Sequence, residues 1–280
     1  MEAVIEGRAS FEEIGNNYVA APDVDFEDIM INNVNCRWVK PDGAIEKEML
    51  IYIHGGAFIY GSLQSHTAMV SHIARALKRS ILMIDYRLAP EHPYPAALTD
   101  CVGVILKLFR ENAGIRYGIV GDSAGGGLSM ATQLKLRDLG GPMPLYCIVI
   151  SPWVDLACKN DSFTSNKLRD TILTREFLQW AADLYAGSHN LSEGLLSPVN
   201  ANLAGLPPVM IVYGTVEILA DDSIYLHQQF MKAGGIAELI AFSDEQHVWP
   251  FTDVHSAASQ KVLEHFAAFA EKHSGNTGPS

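Results

Sequence analysis

The stretch YGIVGDSAGGG, Tyr117 to Gly127, runs from a short apolar segment through a polar pair into three consecutive glycines. Tyr117 to Val120 reads as a buried strand, and the residues from about Ala124 carry a helical pattern that ends at Gly140, Gly141 and Pro142. A strand that turns directly into a helix at a serine, with glycine two residues before and two after, has the spacing of a nucleophile turn. The glycines are needed because the two backbones nearly touch. Gly126 and Gly127 add to the pattern, since each costs about 1 kcal/mol against alanine in a helix and so implies a close neighbour. Ser123 is the candidate nucleophile; the plain alternative, a serine N-cap on an ordinary helix, does not account for the glycines.

Outward from this turn, the runs MLIYIH, ILMID, LYCIVI, VMIVY and AELIAF alternate with segments of helical period, among them His66 to Leu77 and about Ser256 to Lys272. Strands separated by helices predict an α/β fold with a mostly parallel sheet covered on both faces. A chain of 280 residues that is 48% hydrophobic can form one such domain over 1–280. Residues 157–206, which include TREFLQWAADLYAG, form an insertion expected to lie over a site as a lid. The acidic N-terminal stretch, about 1–25, is expected to supply a short helix packing on that lid. HSGNTGPS, from His273 on, reads as a frayed end.

YIHGGAFIYG, Tyr52 to Gly61, ends a strand in a segment nearly free of side chains. A serine that transfers acyl groups needs backbone N–H donors aimed where the carbonyl oxygen becomes negative, and such a segment supplies them. The reading assigns the N–H groups of Gly56 and Ala57, with Gly55 shaping the turn, to join the N–H of Ala124 beside the serine. A plain glycine turn is the alternative. His54 is read as orienting the loop.

In this arrangement the chain order is serine, then acid, then histidine. The strand VMIVYG is followed by Glu217, Asp221 and Asp222, and Glu217 is the candidate acid because the two aspartates read as the start of the next helix. His247 lies between the final strand and the final helix and is the candidate base. A base must be neutral to accept a proton, so activity is expected to rise with pH.

HGGAF, DYRLAPEHPYPA (Asp85 to Ala96), GDSAGG, SPWVDL, GTVEILADD and DEQHVW occur in this order. On these six segments the chain resembles the hormone-sensitive-lipase-like (bacterial family IV) carboxylesterases of the α/β-hydrolase superfamily, from about Trp38 to the end of the last helix. The resemblance implies an eight-stranded sheet with a small helical lid and cofactor-free hydrolysis of short to medium acyl esters. It gives Arg87 and Glu91 a bracing role. HGGAF together with Glu217 looks more like the ε-lactone hydrolase branch, so a lactone is the alternative substrate. The family usually carries aspartate where Glu217 stands, and often a third glycine where Ala57 stands. Its fold also serves as a small-molecule receptor in plant hormone sensing, where the catalytic histidine is lost; His247 argues against that reading here.

Phe58, Trp153, Ile218, Leu219 and Trp249, with Tyr60, Trp180 and Tyr185, flank the expected site and are candidates to line an acyl pocket. A net charge of −12 disfavours nucleic acid and anionic lipid surfaces as partners. No apolar run reaches membrane-spanning length and the N-terminus lacks a signal-peptide layout, so a cytoplasmic protein is expected. Cys36, Cys101, Cys147 and Cys158 show no close pairing and read as reduced, buried thiols. No histidine and carboxylate cluster has metal-ligand spacing. The expected partner is a small-molecule ester or lactone; a homodimer is one candidate assembly that the sequence does not decide.

Overall fold

The computed structural model describes residues 2–112 and 114–274; the expected frayed end lies outside the described residues from 275 on. Helix α1 (Glu2–Gly15) precedes an antiparallel pair, β1 (Val24–Ile31) and β2 (Val34–Pro41). Strands and helices then alternate as β3 (Glu48–Ile53), α2 (Leu63–Leu77), β4 (Ser80–Ile84), α3 (Ala96–Glu111), β5 (Arg116–Asp122), α4 (Ser123–Asp138) and β6 (Cys147–Ile150). Two helices, α5 (Ser162–Ser165) and α6 (Arg175–Ala186), fall in the expected insertion. The chain continues through β7 (Val209–Gly214), α7 (Ala220–Lys232), β8 (Ala237–Phe242), α8 (Trp249–Thr252) and α9 (Ala257–His273).

The eight strands form one sheet in the order β1-β2-β4-β3-β5-β6-β7-β8. Pairing is antiparallel from β1 through β2 to β4, and parallel from β4 to β8. Central strand β3 shows why its sequence is apolar throughout rather than alternating. Ile51 and Ile53 pack into the layer that holds residues of α3 and α4, while Leu50 and Tyr52 enter the layer that holds residues of α2 and α9. Each buried aliphatic chain of this kind contributes roughly 1.5–3 kcal/mol. Strand β1 differs: six of its eight residues, Asp25 to Met30, are exposed, and its mixture of acids and apolar residues gives no strand-like run in the sequence.

Parallel register sets where the site forms. Ile53 pairs with Gly121, Asp122 with Ile150, Ile150 with Val212, and Gly214 with Phe242. The carboxyl ends of β3, β5, β7 and β8 therefore share one rim, where ligands of open α/β sheets bind.

Two sets of polar contacts hold the coverings of this rim. Helix α1 rests on α2 and α8. Its Arg8 donates to Ile59 O (2.9 Å) and Ala89 O (3.0 Å) and grips Glu91 with two bonds of 2.8 and 2.7 Å. These bonds hold the Glu91 carboxyl down at about 2. Arg87 makes a similar fork on Asp100. Fully buried Asp222 accepts from Val154 N (2.9 Å), Asp155 N (3.0 Å) and Asn160 Nδ2 (2.6 Å), pinning the start of the insertion to α7. Burial pushes its carboxyl upward against the pull of those donors.

Removing that carboxylate strands three donors, two of them backbone groups in the interior. Asp222→Ala is expected to lower unfolding free energy by roughly 2–4 kcal/mol, read as a fall in the urea midpoint. A loss under about 0.5 kcal/mol, the level of an ordinary surface change, would mean the donors find other acceptors.

Candidate active site

Ser123 occupies the junction of β5 and α4 with φ at +52°, a left-handed conformation that a serine adopts only when its surroundings dictate it. The surroundings are backbone. A β-carbon at Gly125 would stand 2.1 Å from Ile53 O and 2.3 Å from His54 O, so the first turn of α4 lies directly against the end of β3. This contact forces the sharp turn that presents the serine hydroxyl at the rim.

The loop after β3 bends through three successive positive φ values, +112° at Gly56, +54° at Ala57 and +63° at Phe58. Gly56 O then accepts from Ile59 N (3.1 Å) and Tyr60 N (2.8 Å), closing the turn. Gly55 N donates to Asp122 Oδ1 at 2.9 Å and is thus turned away from the site. The N–H groups of Gly56, Ala57 and Ala124 donate to no acceptor among the described residues. Gly56, Ala57 and Ser123 border the same cavity, and Ala124 immediately follows the serine. His54 is fully buried, stacks on Tyr86 at 4.2 Å and bonds Gly55 O through Nδ1 at 2.8 Å. Burial pushes its imidazole down to about 3, so it stays neutral.

His247 follows β8, and its Nε2 lies 2.8 Å from Ser123 Oγ. Its Nδ1 lies 2.6 Å from Glu217 Oε2, and the other carboxylate oxygen accepts from Gly214 N at 3.0 Å. A carboxylate only accepts, so Nδ1 is the donor and Nε2 is left to accept from the serine. Glu217 is fully buried; burial pushes its carboxyl up, and His247 pulls against that shift. The other two acids in this stretch serve elsewhere: Asp222 as described, and Asp221 as acceptor for Ser162 N at 2.7 Å.

The cavity beside Ser123 has a volume of about 220 Å³ and is walled mostly by apolar groups: Phe11 and Ile14 of α1, Tyr60, Leu173 and Phe177 near α6, and Phe251 of α8. Five residues expected to line it lie elsewhere. Phe58, Trp153, Leu219 and Trp249 are buried in the two core layers, Phe58 stacking on Tyr185 at 3.8 Å, and Ile218 borders a separate cavity with Phe163 and Arg175. Adjacency to a motif in sequence placed them near the rim but could not say which side of the chain faces it. Phe11 and Ile14 gave no signal at all, because their helix reaches the site only by docking on α2 and α8.

Sequence reasoning also passed over Asp122. It is 3% exposed, accepts from Tyr52 Oη at 2.6 Å as well as from Gly55 N, and faces His66 Nε2 at 3.6 Å. The available signal was His66 itself, set among Met69, Val70 and Ile73 on the buried face of α2. Among the described residues no group of three or more His, Cys, Asp or Glu is placed to hold a metal ion, and no helix is long and apolar enough to cross a membrane. All four cysteines are free and buried.

A family profile described as "alpha/beta hydrolase fold" matches residues 50–251. The chain is 34% identical over 265 residues to an acetyl-hydrolase of Streptomyces hygroscopicus, covering 94% of this chain and 87% of that one. It is 34% identical over 205 residues to an esterase of Acinetobacter venetianus, covering 72% and 67%. Among solved structures, an esterase from the bacterial hormone-sensitive lipase family superposes with a TM-score of 0.92 at 35% identity, over 96% of this chain and 91% of that one.

The β3–α4 contact leaves no room for a side chain at Gly125. Gly125→Ala is expected to cost roughly 3 kcal/mol or more, because both oxygens it meets are main chain at the centre of the sheet. Chemical denaturation measures this; a wild-type midpoint would mean that the strand end and the helix can part without strain.

Proposed function

We propose that this chain, which belongs to the alpha/beta hydrolase fold family and within it to the hormone-sensitive-lipase-type carboxylic-ester hydrolases, works through an acyl-enzyme formed on Ser123. The observation that carries the reading is the relay of 2.8 Å from Ser123 Oγ to His247 Nε2 and 2.6 Å from Nδ1 to Glu217. Ser123 Oγ attacks the ester carbonyl carbon while Nε2 takes its proton. The carbonyl oxygen, now negative, receives the N–H groups of Gly56, Ala57 and Ala124. Collapse of the tetrahedral centre expels the alcohol, which takes the proton back from His247. Water then enters by the reverse path and releases the acid. Glu217 holds the imidazole in the required tautomer and offsets the charge of the imidazolium.

The cavity supports small, uncharged acyl groups: its walls are apolar, and about 220 Å³ suits a short to medium chain. Residues 1–25 and 157–206 act as cap elements of a single domain over 1–280, since Phe11 and Ile14 come from the first and Leu173 and Phe177 from the second. The free, buried cysteines fit a reducing compartment, and we place the chain in the cytoplasm.

Ser123→Ala should lower kcat by about 10⁶, leaving the residual rate that the oxyanion donors and binding supply. A series of chromogenic esters of increasing acyl length, run beside lactones with this variant as the blank, checks both nucleophile and substrate class; turnover in the variant equal to wild type would remove the proposal. The acid is tested separately. Glu217→Gln should cost about 10⁴ in kcat, because an amide can impose the wrong tautomer on His247. Acidification should also suppress the wild-type rate. Burial raises the Glu217 carboxyl, so falling pH protonates it sooner than an exposed glutamate, and the acceptor that fixes the imidazole tautomer is lost. A kcat/KM profile flat from about pH 5 to 8 would contradict the base assignment.

A further inference from the structure

We propose that Asp122 is a positioning residue for hydrolysis: its carboxylate, held between Tyr52 and His66, tethers Gly55 and so aims the N–H groups of Gly56 and Ala57 at the substrate oxygen. This rests on reading Ser123 and His247 as the reacting pair.

The first argument is the role that Asp122 gives up. It stands at the N-cap of α4, where an aspartate ordinarily bonds the free N–H groups of the first turn, yet its side chain makes no such bond. Both oxygens point back toward β3 instead. Oδ1 takes Tyr52 Oη at 2.6 Å and Gly55 N at 2.9 Å, and Oδ2 faces His66 Nε2 at 3.6 Å. Burial by itself would raise such a carboxyl; the neighbouring His66 and Tyr52 outweigh it and hold the group below its usual range. A buried carboxylate with two short donors on one oxygen and an imidazole facing the other is a stiff anchor rather than a mobile cap.

The second argument is the loop it grips. Three consecutive residues with positive φ persist only where the ends of the segment are fixed. One end is fixed by Phe58 O, which accepts from Ala89 N at 3.0 Å, and by the turn on Gly56 O. The other is fixed at Gly55 by Asp122. That grip needs glycine, because a β-carbon at 55 would stand 2.2 Å from Asp122 Oδ2.

The third argument is covalent. Asp122 is bonded to Ser123 and through it to Ala124, so one residue sets the spacing between the donor on the nucleophile turn and the two donors on the opposite loop. Charge on the oxyanion is greatest in the transition state, and misplacing its donors therefore lowers kcat and leaves KM nearly unchanged.

The test uses the full chain and three readouts: the kcat and KM split on one chromogenic ester, affinity for a trifluoromethyl ketone that adds to Ser123 as a tetrahedral oxyanion, and the thermal midpoint. Asp122→Ala should lower kcat by about 10²–10³, with KM within about threefold and ketone affinity falling by the same factor as kcat. Asp122→Asn keeps an oxygen for the Gly55 N–H and should return to within about tenfold of wild type. The proposal is overturned if Asp122→Ala keeps kcat within about fivefold of wild type, or if kcat falls while ketone affinity does not. Should Asp122→Ala fail to fold, Tyr52→Phe removes one restraint on the same oxygen; a parallel loss of about three- to tenfold in kcat and ketone affinity supports the proposal, and no change in either rejects it. The underlying reading fails separately, and visibly, if Ser123→Ala retains turnover or ketone affinity.

Discussion

The close passage of the end of β3 beneath the first turn of α4 governs everything at the rim. With no side chain at Gly125, the carbonyls of Ile53 and His54 come within 2.3 Å of where a β-carbon would be. That proximity bends Ser123 into a left-handed conformation and sets the loop after β3 beside Ala124. Strain at one serine is tolerated because the sheet register around it is determined by six parallel strands packed on both faces. The result is a nucleophile candidate and candidate oxyanion donors set at the ends of two packed elements.

Three buried carboxylates near this rim show how partners decide what an acid does. Glu217 meets an imidazole, a backbone N–H and the Ser151 hydroxyl, which leaves it suited to hold a histidine that changes charge. Asp122 meets a tyrosine, a backbone N–H and a second histidine, an arrangement that ties down a loop. Asp222 meets two backbone N–H groups and an amide, and anchors the start of the insertion. All three are desolvated to a similar degree, so burial does not separate the roles.

Helix α1 is joined to the rim through aromatic and ionic contacts of unequal strength. Phe11 stacks on Phe251 at 5.2 Å and lies 6.0 Å from Tyr60, placing α1 over the cavity. The Arg8–Glu91 fork lies on the partly exposed side, where solvent screening leaves an ion pair little net worth, and its two bonds to backbone oxygens give it more direction than energy. Seating of α1 thus depends chiefly on apolar packing, with the arginine setting its register.

What the sequence by itself determined was local and patterned. Glycine spacing around Ser123, the side-chain-poor HGGAF segment and the order of strands narrowed ten histidines to His247 and three acids to Glu217, because backbone conformation and strand period are written in neighbouring residues. The six parallel strands were legible for the same reason, whereas β1, exposed along most of its length, carried no apolar run to betray it. Tertiary structure alone decided the partners of Asp122, the walls of the cavity and the surface on which α1 rests. Those depend on contacts between residues far apart in the chain, 67 positions for Gly55 with Asp122 and 124 for Ser123 with His247. In such contacts the face a side chain presents is set by how layers dock, and no pattern within either segment records that.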